Sequence, residues 1–205
     1  KNGEDVSIIK FNLHHGDSLK INWCEIFPKI FLNYNLGSKN TGFDVVLGNP
    51  PYVRIQDLNE NLKTFLSENY VTVNGGNFNL YFAFFELGIS LLKTKGQLGY
   101  IVPNSFFTSF AAQNLRNWFQ EKRFLKEIID FTHLLLFEDA LTYTCIAMLD
   151  KSEKKDFLYN YIDSEDSLKT FSKQKSDSIK FDEINSKKWR LLKRKDLKNI
   201  QKIEN

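Results

Sequence analysis

Cysteine is scarce in this sequence. Cys24 and Cys145 are the only two, far apart and without CxxC spacing. That argues against a disulfide framework or a zinc site and fits a reducing compartment. Charge of one sign is also lacking. The net charge is +3, which permits nucleic-acid binding without arguing for it. No apolar run approaches the ~20 residues that cross a bilayer. The opening residues, Lys1-Asn2-Gly3-Glu4-Asp5, are polar and hold no apolar signal segment. The expectation is a cytoplasmic protein with no membrane partner. His14, His15 and His133 show no metal-ligand pattern, so no metal is expected.

What is present is an ordinary globular balance, with 42% hydrophobic and 26% charged residues. The 205 residues amount to one domain, or a domain and part of another. The 19 phenylalanines could build a core or offer stacking surfaces.

Ser7 to Leu13 reads as a strand, as does Phe43 to Leu47. The second run is apolar without alternation, as in a strand buried on both faces of a parallel sheet. Leu58, Leu62, Phe65 and Leu66 share one helical face. Asn74-Gly75-Gly76-Asn77 reads as a turn or hinge. A helix is expected from about Leu80, with Phe84, Leu87 and Leu91 at helical spacing, closing on Gly96 as its C′ glycine. A strand follows over Leu98 to Val102, and a helix over Ala111 to Lys122 with Leu115, Trp118 and Phe119 inward. Further strands are expected at Leu125 to Phe131 and Thr142 to Leu149.

Alternating strands and helices argue an α/β domain with a mostly parallel sheet. Thr132 to Leu141 is too short for a parallel crossover, so the last two strands should form an antiparallel pair at that edge. After Asp150 the composition turns to Ser, Lys, Asp and Glu. A boundary is expected near 150–155, followed by a poorly packed connector. Helical spacing resumes over Trp189 to Ile203.

The chemistry sits in Gly48-Asn49-Pro50-Pro51-Tyr52, directly after a strand. In open parallel sheets, ligands bind beyond the carboxyl ends of strands. Two prolines remove two backbone donors and fix two φ angles. The turn is stiff, and its carbonyls are free to face a ligand. The Asn49 side chain offers an amide oxygen, and Tyr52 a flat apolar face with a polar tip. An exocyclic amino group, with two N–H bonds to satisfy, suits this arrangement. The Asn49 oxygen and the Pro50 carbonyl would accept both, drawing the nitrogen toward a tetrahedral, nucleophilic state while the ring stacks on Tyr52. The catalytic gain would be one of orientation and electrostatics. The plainer reading is a rigid strand-to-loop turn, since Asn-Pro commonly starts turns.

At these residues the sequence resembles the DNA adenine-N6 methyltransferases of restriction–modification systems. Phe43 to Val53 looks like their catalytic motif. Asn79-Leu80-Tyr81-Phe82-Ala83-Phe84-Phe85-Glu86 is similar to the segment that borders the cofactor pocket. Gly96 to Phe106 looks like the following strand motif, and Leu115-Arg116 falls where the family often has Leu-Arg. The resemblance implies a Rossmann-like class I methyltransferase sheet, S-adenosylmethionine as cofactor, double-stranded DNA as partner, and a flipped target base. Asn49, Pro50, Pro51 and Tyr52 would be catalytic. Phe137 would close on the base from the face opposite Tyr52. Asp17, in Gly16-Asp17-Ser18-Leu19, would contact the cofactor's adenine, with Asn79 and Leu80 beside the cofactor. Plainer roles stand next to these: Phe137 as core, Asp17 as a turn or cap, and Asn79 as a helix N-cap.

One departure follows. The family's glycine-rich cofactor motif should precede the first strand, and it occurs nowhere in this sequence. The expectation is a fragment: 1–150 as the C-terminal part of a methyltransferase domain, and 151–205 as a connector toward a target-recognition domain. The missing N-terminal half of the same polypeptide would then be its partner, and the fragment alone would be inactive and bind the cofactor weakly. Lys187 to Leu192 and Asp196 to Ile203 loosely resemble the connector in enzymes that both cut and methylate DNA, though a plain amphipathic helix reads equally well. Two alternatives remain. One is a protein glutamine-N5 methyltransferase, a family that also uses Asn-Pro-Pro-Tyr. The other is a non-catalytic, methyltransferase-like DNA-binding module.

Overall fold

The structure, a computed structural model, describes residues 12–32, 41–74, 76–136, 142–171 and 176–191. The residues 7–11 of the first expected strand lie outside it, and Leu13 is irregular and exposed. Six strands form one mixed sheet in the order β1-β2-β4-β3-β5-β6. They are β1 Phe43–Gly48, β2 Leu92–Pro103, β3 Leu125–Asp130, β4 Thr144–Asp150, β5 Asp156–Tyr161 and β6 Asp177–Lys180. The helices are α1 Trp23–Ile26, α2 Glu60–Asn69, α3 Tyr81–Leu91, α4 Gln113–Lys122 and α5 Glu165–Lys169.

β1 and β2 run parallel, with α2 and α3 in the connection between them. β4 then inserts antiparallel between β2 and β3. The antiparallel pair foreseen from the short 132–141 connection is therefore present. It is not at the sheet edge, because β5 pairs with β3 in parallel and β6 pairs with β5. Likewise, the change of composition after Asp150 does not end the sheet. Phe157 and Tyr159 of β5 are buried, and so is Trp189. Their stretch reads as a poorly packed connector because its polar residues face solvent while single aromatics, spaced widely, anchor it. The expected helix from Trp189 lies largely outside the described residues, and Trp189 to Leu191 are not helical.

α2 begins where Asn59 accepts the Leu62 N–H at 2.9 Å, a side-chain cap for an otherwise unpaired donor. α3 does not run on to Gly96. It stops at Leu91 and enters β2 directly, with the Leu92 N–H bonded to the Ile89 carbonyl. Gly96 lies in the strand, where five steps on β2, from Leu92 to Gln97, oppose two on β1, from Phe43 to Val45. This is a bulge. A Cβ on Gly96 would sit 2.6 Å from the Phe43 carbonyl oxygen, so glycine is required there by close approach of backbone and not by a helix end.

β1 also departs from expectation. Val45 is 55% and Leu47 76% exposed. Its apolar run suited a strand covered on both faces, yet among the described residues it pairs with β2 alone. The core instead concentrates on the face holding α3 and α4. Phe85 meets Phe119 edge-on at 5.1 Å, Phe119 meets Trp189 at 5.8 Å, and Trp189 stacks on Phe157 at 5.8 Å. Each fully buried ring stabilises the fold by roughly 1.5–3 kcal/mol, so this aromatic chain ties α3, α4, β5 and the C-terminal segment together. Most of the phenylalanine content is thus core; Phe110, at 84% exposed, is an exception.

Candidate active site

The end of β1 feeds Gly48 into the Asn-Pro-Pro-Tyr turn. Asn49 and Pro51 are exposed, Pro50 is buried and Tyr52 is half-buried. After the turn the chain runs beside the start of α3. The Ile55 N–H bonds the Phe78 carbonyl at 3.0 Å, and the Leu80 N–H bonds the Val53 carbonyl at 2.8 Å. The turn is held between β1 at one end and this short pairing at the other.

Two cavities of about 480 Å³ each flank it. Asn49, Pro50 and Pro51 line the first, together with Asp17 on a preceding turn and the apolar side chains of Leu47, Phe84 and Leu87. Tyr52 lines the second, with Asn79, Ser105, Phe106 and Ser109. The motif is the partition between them. Because Pro51 and Tyr52 are consecutive, their Cα atoms are ~3.8 Å apart, so a single peptide unit stands between residues that line the two cavities.

The first cavity joins a carboxylate to apolar walls. Asp17 is exposed and its Oδ1 accepts the Leu19 N–H at 3.1 Å, so it shapes its own turn and faces the cavity at the same time. Phe84 and Leu87 recur at helical spacing, but theirs is not the face that packs inward. The helix turns Tyr81, Phe82, Phe85, Gly88 and Ile89 inward instead, which leaves Phe84 and Leu87 half-buried on the cavity side.

In the second cavity the Tyr52 hydroxyl donates to the Ile101 carbonyl of β2 at 3.0 Å. This fixes the ring with its tip toward the sheet. Burial, and then the Cys145 thiol, push its pKa up to about 12, so it is a neutral phenol at physiological pH and not a base. Its ring meets Tyr81 edge-on at 6.0 Å. Tyr81 is fully buried, which holds its hydroxyl well above the ordinary value, although a hydrogen bond with Ser105 works against that. Both phenols act as walls.

The two residues named for the cofactor, Asn79 and Leu80, lie apart from Asp17. Asn79 lines the Tyr52 cavity, away from Asp17. Leu80 is core, 8% exposed, and lines neither cavity. The N-terminal end of α3 comes next to the segment after Tyr52 through the backbone bonds just given, a long-range pairing that local sequence does not reveal. Phe137 lies outside the described residues.

Arg116 is a residue that sequence reasoning left without a role. It is fully buried. Its guanidinium donates to the Phe106 carbonyl at 2.6 Å and the Ser109 carbonyl at 2.7 Å, both on the wall of the Tyr52 cavity. It also donates to the Ser186 carbonyl at 2.7 Å and the Lys187 carbonyl at 2.6 Å. Burial lowers its pKa, with Tyr81 opposing the shift. A signal was available: Ala112, Leu115, Arg116 and Phe119 follow the spacing of one buried helical face, and a cation in such a row must find internal acceptors. No group of three or more metal-ligating side chains occurs among the described residues. Nor, among them, is any helix long and apolar enough to cross a membrane.

Residues 2–137 match the model of the Eco57I restriction-modification methylase family. That stretch takes in β1, the Asn-Pro-Pro-Tyr turn, α3, β2, α4 and β3. The type II restriction enzyme and methyltransferase RM.Eco57I of Escherichia coli is 34% identical over 123 residues, which cover 58% of this chain and 12% of that protein. The chain therefore spans about an eighth of that relative's length. In fold, it resembles the methyltransferase subunit of a type I restriction-modification system from Streptococcus thermophilus, with a TM-score of 0.55 at 18% identity, covering 82% of this chain and 38% of that one. The DrdV–DNA complex matches with a TM-score of 0.55 at 16% identity, over 78% of this chain and 19% of that one.

Proposed function

Because the chain belongs to the Eco57I restriction-modification methylase family, we propose that it supplies the catalytic turn of a cytoplasmic DNA methyltransferase that modifies the N6 amino group of adenine with S-adenosylmethionine as donor. The observation that carries this reading is the turn itself, which separates a cavity holding a carboxylate from one floored by an aromatic ring.

In this reading the Asp17 cavity holds the donor's adenosyl part. Asp17 accepts hydrogen bonds from it, while Leu47, Phe84 and Leu87 cover its apolar faces. When bound, the cofactor supplies an electrophilic methyl group on a sulfonium. The Tyr52 cavity takes a base extruded from the duplex, which is otherwise too deep in the stack to reach. Tyr52 stacks on that base, and its bond to Ile101 keeps the ring from turning away. Asn49 and the Pro50 carbonyl accept the two N6 hydrogens and orient the nitrogen lone pair toward the partition. No strong base is required, since the proton can leave after transfer, and the neutral Tyr52 fits that scheme. Residues 151–205 would lead on toward a target-recognition domain. The rest of the cofactor site, with the remaining strands, would come from a preceding part of the same polypeptide, so the piece in isolation would bind the donor weakly and be inactive.

The test uses the full-length polypeptide, genomic DNA and labelled S-adenosylmethionine. Label in N6-methyladenine that disappears in Asn49→Ala supports the reading. Label in a protein glutamine instead would overturn it in favour of the glutamine-N5 activity. DNA binding with no transfer to either substrate would reduce it to a non-catalytic binding module.

A further inference from the structure

Arg54 and Asn79 face each other in an isolated antiparallel bridge. The Ile55–Phe78 and Leu80–Val53 backbone bonds clamp it on either side. Residues opposite one another in an antiparallel pair send their side chains to the same face, and both line the Tyr52 cavity. They sit at different depths. The Asn79 carboxamide oxygen is buried and has no hydrogen-bond partner. Arg54 is exposed and makes no ion pair among the described residues.

The ordinary task for an asparagine before a helix is to cap it. Asn79 does not do so, since α3 begins without any side-chain cap bond. A buried polar atom left unpaired carries its desolvation cost with no return. Its position in a cavity wall beside a stacking ring points to a ligand atom as the missing partner. A carboxamide can turn about its last torsion and offer either a donor or an acceptor at that point. Arg54 lies two residues beyond Tyr52, on backbone that the bridge holds in place, so its side chain starts from a fixed point at the cavity and its charge is within reach of a ligand there.

We infer that the Arg54–Asn79 bridge pair grips an extruded nucleotide, Asn79 bonding the ring edge of its base and Arg54 pairing with its phosphodiester. The inference rests on the proposed reading of the Tyr52 cavity as the base site. With the two amino hydrogens assigned to Asn49 and Pro50, the edge left for Asn79 carries ring nitrogens; a half-turn of the carboxamide puts its N–H where the unpaired oxygen stands, and a ring nitrogen accepts from it. One residue thus reads the base and the other holds the backbone, the usual division of labour on nucleic acid.

The experiment uses the full-length polypeptide and a duplex with 2-aminopurine at the adenine found to be methylated. Four quantities are read: DNA affinity across a salt series and the fluorescence rise on base extrusion with that duplex, S-adenosylmethionine affinity, and kcat on the same duplex with adenine restored at the target. Arg54→Gln should reduce the slope of log affinity against log salt by about 0.9, the loss of one phosphate contact, and Arg54→Lys should restore most of it. Asn79→Leu should keep the salt slope and the donor affinity, and should lower the extrusion signal and kcat about tenfold or more. Asn79→Asp, nearly isosteric, gives a second reading should the leucine variant fold poorly. An unchanged salt slope in Arg54→Gln would overturn the phosphate contact. Weakened donor binding with intact extrusion in Asn79→Leu would overturn the base contact and return Asn79 to the cofactor. A wild-type enzyme that methylates no DNA would remove the underlying reading itself, which is recognised without any variant.

Discussion

Pro51 and Tyr52 share one peptide bond and line different cavities. The boundary between the two sites is therefore a single rigid turn, not a domain interface. Its stiffness comes from two fixed φ angles and from the pairing of residues 53–55 with 78–80.

Asn49→Ala separates chemistry from folding. Asn49 is exposed, so the change should move stability by less than about 0.5 kcal/mol. In the proposed mechanism it also removes one of two acceptors at the reacting nitrogen, which should lower kcat roughly 100- to 1,000-fold. Thermal melting and single-turnover methyl transfer on the full-length enzyme check both halves.

Arg116→Met removes four charge-assisted hydrogen bonds, one to the buried Phe106 carbonyl and three to part-buried carbonyls that water can reach. An unsatisfied buried acceptor costs about 1–3 kcal/mol and the part-buried ones less, so the expected total is about 3 kcal/mol. Arg116→Lys should recover only part, since one ammonium cannot reproduce the planar fork. Urea unfolding of both variants gives the comparison.

Gly96→Ala tests the bulge. The added Cβ falls 2.6 Å from the Phe43 carbonyl oxygen, which is backbone and cannot swing aside. The expected cost is about 1–3 kcal/mol, with faster amide exchange in β1. Were Gly96 a helix C′ residue, α3 would fray instead.

Stability should also fall on the alkaline side. Burial raises the pKa of Tyr52 from 10.0 to about 12, and Tyr81, Tyr100 and Tyr159 shift in the same direction. A raised folded-state pKa means that the unfolded chain loses its protons first. The contribution of these phenols is fully present below pH 10 and is lost as pH climbs through about 12 for Tyr52. Denaturant midpoints measured upward from pH 9 should hold flat and then drop, with near-ultraviolet phenolate absorbance appearing together with unfolding.

Much of this architecture can be read locally. Phe43–Gly48 followed by Asn-Pro-Pro fixes a strand and a stiff turn, and the short 132–141 link forces an antiparallel return. Other features have no local signature. Gly96 reads as a helix stop because a bulge and a C′ position both call for glycine, and only the register against Phe43 tells them apart. The helical spacing of Phe84 and Leu87 does not distinguish a packed face from a cavity wall. Asn79 joins the Tyr52 cavity through pairing with a segment 25 residues away. Trp189 is buried through contact with Phe106 and Phe119, which no composition window around 151–191 could register.

Arg116 also has a mechanical meaning. It fastens Ser186 and Lys187 to the shoulder of α4, and the Trp189 N–H bonds the Phe107 carbonyl at 2.7 Å just beyond. Tension applied to the chain at Leu191 is borne first by this anchor, ahead of the β6 ladder, and passes straight to the segment 106–109. The end of the described chain and one wall of the Tyr52 cavity are thus joined through a single guanidinium.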